Sequence, residues 1–205
     1  MRKPPPINDA DHARALAEFR TTYGMLMEAW ARVEAAVFYW FMLLTGIEER
    51  MARAIYYSAR SFSARGSMVD ATLPLSPIDP AKKEFVKAAL KKAGQYSGFR
   101  NRATHGEPVW NYRLSQYVLA EGDWGEKGPA DDAITIRQMQ VACRNFSELR
   151  RLMWELARPR SHVGSPPSPQ GYLVRIRALA NEASSSEARP QQQPQKQRPP
   201  RKPRA

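Results

Sequence analysis

Arg100, Asn101 and His105 are the residues of this chain whose types and spacing point most directly to chemistry. They lie in the string Arg-Asn-Arg-Ala-Thr-His-Gly, residues 100–106. A guanidinium group binds phosphate oxygens through paired N–H donors, and an imidazole exchanges protons near neutral pH. The combination therefore suits binding or cleavage of a phosphodiester.

The asparagine makes the string specific. The chain contains 23 Arg, 5 Asn and 3 His among its 205 residues. An Arg followed by a His at one fixed spacing is expected about 0.3 times by chance, and requiring Asn directly after the Arg lowers this expectation to about 0.01. On a helix, Asn101 lies one turn from His105, and Arg100 one turn from Thr104, a supporting candidate. Arg100 and His105 are about 140° apart around the axis.

The string resembles the RNxxxH form of the Arg-x4–6-His signature of HEPN domains, small helical proteins that are often metal-independent endoribonucleases. The resemblance implies cleavage of RNA by the neighbouring ribose 2′-hydroxyl, leaving a 2′,3′-cyclic phosphate, with no cofactor and no metal. His105 is then the general acid or base, Arg100 stabilises the transition state, and Asn101 orients the histidine or binds the phosphate.

The same resemblance implies partners. In the HEPN family two protomers pair so that both motifs face a shared cleft, so we expect a homodimer with a composite site and RNA as its substrate. Family analogy also suggests a toxin or phage-defence effector, with an antitoxin or another protein as a further partner.

Two other interpretations stay open. Arg100 and Arg102 are favoured at a helix C-terminus by the helix dipole, with His105 simply ending the helix. Alternatively, the chain is a non-catalytic HEPN-like module that binds RNA, a nucleotide or a protein partner. Glu34 is a further supporting candidate, because it lies in the apolar stretch from Trp30 to Phe41. It is either the ion-pair partner that orients Arg100 or a residue at the solvent edge of its helix.

The composition agrees with an intracellular, polyanion-binding protein. The net charge is +12 and the isoelectric point is about 10.1, which indicates a nucleic-acid partner. Cys143 is the single cysteine, as is typical of a reducing compartment. The sequence has no secretory signal pattern and no apolar run long enough to cross a membrane. We therefore expect a cytoplasmic protein with no membrane segment.

Apolar residues recur every three or four positions in four segments, which predicts four helices. These are residues 9–44, about 48–64, 80–105 and 136–158.

Glycine and proline mark the predicted ends of these helices. Gly46 ends the first helix and Gly66 the second, and residues 66–80 form a linker. Asp79-Pro80 begins the third helix as an N-cap followed by proline. Gly106 is expected to end that helix in the left-handed conformation. The RNxxxH string therefore lies at the carboxyl end of the third helix.

The rest of the chain has a different character. Residues 109–136 predict two short strands or an ordered loop. Residues 159–205 form a Pro/Gln/Arg-rich tail, with a short helix at 171–183 and a disordered basic segment at 184–205. Together these patterns predict an all-α fold. It is an up-and-down bundle of four main helices over residues 9–158, with a short irregular or β-hairpin insertion and a disordered basic C-terminal tail.

Overall fold

The computed structural model describes residues 8–121, 133–157 and 168–179, which form six helices and a small antiparallel sheet. The helices are α1 (Asp9–Thr45), α2 (Glu49–Ser58), α3 (Phe62–Thr72), α4 (Pro80–His105), α5 (Ile136–Ala157) and α6 (Pro169–Ala178). The strands are β1 (Glu107–Asn111), β2 (Gln116–Ala120) and β3 (Ile134–Thr135). The mainly helical class is confirmed, although there are six helices where four main ones were expected.

The long helix predicted for residues 9–44 is confirmed as α1. The side chain of Asn8 caps its first turn by accepting a hydrogen bond from the backbone N–H of Asp11. Gly46 ends it in the left-handed conformation (φ 66°), and its N–H donates to the carbonyl of Met42. Because glycine has no Cβ, it adopts this conformation without strain.

The core lies around α1, which contacts α2, α3, α4, α5 and strand β2. Trp30 packs edge-on against Phe62 of α3 and Phe146 of α5, with ring centroids 4.9 and 5.4 Å apart. The indole N–H of Trp40 donates to the backbone carbonyl of Met153, 3.1 Å away. Aromatic packing and this buried hydrogen bond together fix α1 against α3 and α5.

The prediction for the second helix is wrong. The chain forms two helices there, because Ala59 is extended (φ −74°, ψ 121°) and ends α2. Ser61 then starts α3 by accepting a hydrogen bond on its Oγ from the backbone N–H of Ala64. Gly66, expected to end a helix, lies inside α3 with open space around it. The predicted linker at 66–80 is correspondingly shortened to the segment between α3 and α4.

The third predicted helix is confirmed as α4. The Asp79 carboxylate accepts hydrogen bonds from the N–H groups of Ala81 and Lys82, and Pro80 occupies the first turn. The prediction for Gly106 is wrong, since its backbone is extended (φ −77°, ψ 145°). A left-handed residue would turn the chain away, whereas Gly106 continues directly into β1.

The region predicted as strands or an ordered loop begins with a hairpin. β1 pairs antiparallel with β2, and β3 pairs antiparallel with the other edge of β2, which gives the order β1-β2-β3. In the turn, the Asn111 side chain accepts hydrogen bonds from the N–H groups of Arg113 and Leu114. The predicted connector falls partly at 122–132, outside the described residues. The sheet therefore begins two residues after α4 ends.

The fourth predicted helix is confirmed as α5, and the short helix expected at 171–183 appears as α6, slightly earlier in the chain. α6 packs on α4 and α5, with Tyr172 edge-on to Phe85. The segment 184–205, predicted to be disordered, lies outside the described residues. None of the six helices in the described part of the chain has the length and apolar character needed to span a membrane.

Candidate functional site

The buried residues of α4 determine where the RNxxxH side chains point. Phe99 and Ala103, one turn apart, are fully enclosed in the core. Arg100 is half-buried beside them, whereas Asn101 and His105 are exposed. The helix therefore presents one part of the string to its neighbouring helices and the other part to solvent.

Arg100 lies against α1. Its Nη2 is 3.6 Å from Oε1 of Glu34, and its guanidinium lies 5.3 Å from the centre of the Trp30 ring. Only 25% of the Arg100 side chain and 20% of the Glu34 side chain are exposed. The ion pair that sequence reasoning raised as one interpretation of Glu34 is present. Its partly buried position makes it less screened by water than a surface pair.

Arg65 of α3 is a member of this cluster that sequence reasoning missed. Its Nη1 donates to Oε1 of Glu34 at 3.3 Å, and its Nε donates to the carbonyl of Ala59 at 3.0 Å. The guanidinium also lies over the Tyr57 ring, 5.1 Å from its centre. Its position on the helix could have indicated this role, because Arg65 follows buried Phe62 by three residues and so lies near the same side of α3. The predicted helix ended at 64–66, and Arg65 was therefore not placed on a helix face.

The Glu34 cluster therefore contains two guanidinium groups and one carboxylate, with a net positive charge. The Tyr56 ring lies behind it, and the ring centre is 5.8 Å from the central carbon of the Arg65 guanidinium. Burial, and to a smaller extent the neighbouring Tyr57, raises the pKa of Tyr56 far above its usual range. Its phenol therefore stays protonated and adds no negative charge to the cluster. An anion that approaches Arg100 meets uncompensated positive charge.

Asn101, Thr104 and His105 lie on the exposed side of α4. Thr104 is bound to its own helix, because its Oγ1 donates to the carbonyl of Asn101 at 2.8 Å. The Asn101 and His105 side chains form no hydrogen bond with any residue in 8–121, 133–157 or 168–179. The structure thus brings Glu34 to Arg100 but leaves the amide and the imidazole accessible, one turn apart on another side of the helix.

Gly106 holds the hairpin close to the end of α4. A Cβ at this position would lie 3.1 Å from Cβ of Leu119 and 3.3 Å from the backbone nitrogen of Ala120. The Gly106 N–H also donates to the carbonyl of Arg102 at 3.0 Å. Close approach, and not a left-handed turn, is what favours glycine here. The contact fixes the backbone beside His105.

In the part of the chain that the structure describes, no three His, Cys, Asp or Glu side chains are grouped closely enough to hold a metal ion. Comparisons of the chain with protein-family models, with curated proteins and with solved structures gave no match. The resemblance to HEPN domains rests on the RNxxxH string.

Proposed function

We propose that this chain is a HEPN-type, metal-independent endoribonuclease whose catalytic residues are Arg100, Asn101 and His105. One observation carries the proposal. The Arg100 guanidinium is held in place by Glu34 and Trp30, while Asn101 and His105 stay accessible at the same helix end. An oriented cation and an accessible imidazole are the two groups that charge stabilisation and proton transfer at a phosphodiester need.

In this mechanism the ribose 2′-oxygen attacks the adjacent phosphorus, and the bond from phosphorus to the 5′-oxygen breaks. The products are a 2′,3′-cyclic phosphate and a 5′-hydroxyl. His105 accepts the proton of the 2′-hydroxyl or donates one to the leaving 5′-oxygen, a role that typically contributes about 10²–10⁴ in rate. Arg100 neutralises the charge that develops on the non-bridging oxygens, and Asn101 orients His105 or donates to the phosphate.

The proposed active form is a two-fold homodimer. Arg100 faces Glu34 and Trp30 of α1, whereas His105 is exposed on another side of α4. One copy therefore does not bring the two groups together, and a second copy facing the same cleft completes the site. In this proposal helices α1 to α5 form the HEPN bundle, with α2 and α3 together in place of its second helix. A toxin or phage-defence role, controlled by a protein antitoxin, belongs to the same proposal.

A non-catalytic helical module is the second candidate, and a specific observation favours it. Arg100 is already occupied by Glu34, and its buried Nε donates to no acceptor among the described residues. A guanidinium that pairs with Glu34 in this way can have a structural role without any catalytic one. The RNxxxH string would then be part of a surface that binds RNA, a nucleotide or a protein partner.

Incubation of purified protein with total RNA in EDTA distinguishes the two candidates. We expect the wild type to produce fragments with 2′,3′-cyclic phosphate ends, and His105→Ala to produce about 100-fold fewer. His162→Ala removes an imidazole outside the RNxxxH string and is the matched control, with unchanged cleavage. Equal cleavage by the wild type and His105→Ala would end the nuclease proposal at this site, and RNA binding without cleavage would favour the second candidate.

A further inference from the structure

The exposed face of α4 carries cations well before the RNxxxH string. Lys87 and Lys91 are exposed and lie one helical turn apart. They line two clefts at once, one of about 480 Å³ between α4 and α6 and one of about 590 Å³ between α3 and α4. These two lysines therefore form a cationic ridge between the clefts.

The ridge is available to an external anion. Across residues 8–121, 133–157 and 168–179, neither lysine has a carboxylate within ion-pair distance. The cleft between α4 and α6 adds Lys92 and Arg177 against one carboxylate, Glu84. The other cleft has Asp70 as its one acidic lining residue. Both clefts keep an excess of positive charge.

The helical repeat aligns this ridge with the candidate site. Lys87 precedes His105 by 18 residues, which is about five turns and about 27 Å. The two side chains therefore leave α4 on the same side. Between them the exposed face has little bulk: Gly94 and Ser97 line the cleft between α3 and α4, and Asn101 follows Ser97 by one turn. Exposed Gly94, Gly98 and Asn101 lie on this side of α4 between the lysines and the imidazole.

We propose that this face of α4, from Lys87 to His105, is a track for the sugar-phosphate backbone of single-stranded RNA. The identity of the anion as RNA, and the end of the track at His105, rest on the proposed function. A stacked strand advances about 3.4 Å per nucleotide, so about eight nucleotides span the 27 Å. Lysine ammonium groups contact phosphates without reading bases, and recognition along the track is therefore independent of sequence.

A single strand fits this face better than a duplex. A basic groove beside a straight helix follows one backbone over its whole length. The backbone of a duplex winds away from a straight helix within a few phosphates. Attack by a 2′-hydroxyl also needs a ribose that is free to rotate in line with the leaving oxygen, which a single strand allows. The positive charge of the face and the proposed cleavage chemistry both favour single-stranded RNA.

The test measures binding of fluorescein-labelled RNA by fluorescence anisotropy in full-length His105→Ala protein, which does not consume its ligand. The variant Lys87→Gln/Lys91→Gln removes the ridge. Its matched control, Arg20→Gln/Arg144→Gln, removes two exposed cations that line neither cleft. The ligands are a 12-nucleotide single strand, a 4-nucleotide single strand and a 12-base-pair duplex.

Loss of the ridge should weaken binding of the 12-nucleotide strand about 25-fold at about 0.1 M salt. It should reduce the slope of log K against log salt by about 1.4, so that the difference disappears near 1 M. A folding defect would not converge in this way. The 4-nucleotide strand should lose little affinity, and the control variant should bind all three ligands as the His105→Ala parent does.

Several results would overturn the track. These are no binding of the 12-nucleotide strand, equal weakening by the two double variants, or a duplex bound as tightly as the single strand. The proposed function can fail separately. A wild type that binds RNA through the lysines but never cleaves it would support the track and contradict the nuclease proposal. Cleavage with undiminished affinity in Lys87→Gln/Lys91→Gln would support the nuclease proposal and contradict the track.

Discussion

Glu34 and Glu148 each lie between two arginines, yet they serve different parts of the molecule. Glu34, on α1, contacts arginines from α3 and α4 whose side chains are 17% and 25% exposed. Glu148, on α5, contacts an arginine of its own helix and one of α6, and these are 39% and 43% exposed. Water screens the Glu34 cluster less. Its ion pairs are longer, at 3.3 and 3.6 Å, than the 2.5 Å pair between Arg151 and Glu148.

The aromatic surroundings sharpen the contrast. In the Glu34 cluster, Arg100 lies over Trp30 and Arg65 over Tyr57, so each guanidinium is restrained by a carboxylate and by a ring face. Such cation–π contacts contribute about 0.5–2 kcal/mol. The Glu148 cluster instead joins α6 to α5. The same residue types therefore position a candidate catalytic group in one place and fasten a peripheral helix in the other.

The largest expected difference between the two clusters is in RNA cleavage. Arg100→Ala should lower kcat/KM about 100-fold or more, because the charge on the transition state loses its paired donors. Arg100→Lys keeps the charge without the paired geometry and should also be impaired. Arg175→Ala, from the Glu148 cluster, is the matched control and should cleave within about twofold of wild type. Full activity in Arg100→Lys would show that the oriented guanidinium is not needed.

Mixing inactive variants tests whether the Glu34 cluster works across a dimer. If Arg100 of one copy acts with His105 of the other, a heterodimer of Arg100→Ala and His105→Ala contains one intact site. Equal mixing after partial unfolding and refolding should restore about a quarter of wild-type cleavage. An inactive mixture that nevertheless forms heterodimers, as judged by pull-down of a tagged subunit, would mean that each copy supplies its own site.

Replacing the two glutamates should change the free energy of unfolding by different amounts, a smaller effect than the one on cleavage. Glu34→Ala leaves two partly buried guanidinium groups without their shared acceptor and should lower the free energy of unfolding by about 2 kcal/mol. Glu148→Ala, the control in a more exposed ion-pair cluster, should lower it by about 0.5 kcal/mol. Urea denaturation at neutral pH measures both values. Equal losses would show that the two clusters hold their arginines alike.

Much of the fold follows from local sequence signals. α1, α4 and α5 were predicted to within a few residues, because each is long and keeps one apolar face. The Asp79-Pro80 start of α4 also follows from the N-cap preference alone. The break between α2 and α3 was not predicted, because Ser61 reads equally well as a helix residue or as a cap until the packing is known. The prediction of a left-handed Gly106 was wrong for a related reason, because the close approach of Leu119 is a tertiary contact.

The candidate site shows the same division. The string of Arg100, Asn101 and His105 is visible from spacing, and an ion pair between Glu34 and Arg100 was one of two interpretations of an acidic residue in an apolar stretch. Arg65 was missed because its role depends on where α3 starts. Sequence periodicity shows which side of a helix a residue occupies, but it does not show which other helix meets that side. The second partner of Glu34 therefore required the structure.

The pH dependence of the Glu148 cluster follows from its hydrogen bonds. Arg151 donates to Glu148 and, together with the charges of Arg151 and Arg175, holds the pKa of the Glu148 carboxyl below its usual value near 4.5. The folded protein therefore binds this proton less readily than the unfolded chain. The cluster contributes stability above the usual pKa, and that contribution is lost as the pH falls towards the lower pKa of the folded state.

The smallest predicted effect is a stability difference between wild type and Glu148→Gln that depends on pH. At about pH 7 the wild type should be more stable by about 0.5 kcal/mol, because the charged carboxylate binds both arginines. As the pH falls below the usual carboxyl pKa the difference should shrink, since protonated Glu148 resembles glutamine. Urea denaturation at a series of pH values measures it. Glu18→Gln, at an exposed glutamate of α1 with no ion pair among the described residues, is the control and should differ little from wild type at any pH. A Glu148→Gln difference that stayed constant with pH would mean that the amide disturbs packing and that the ion pair contributes nothing.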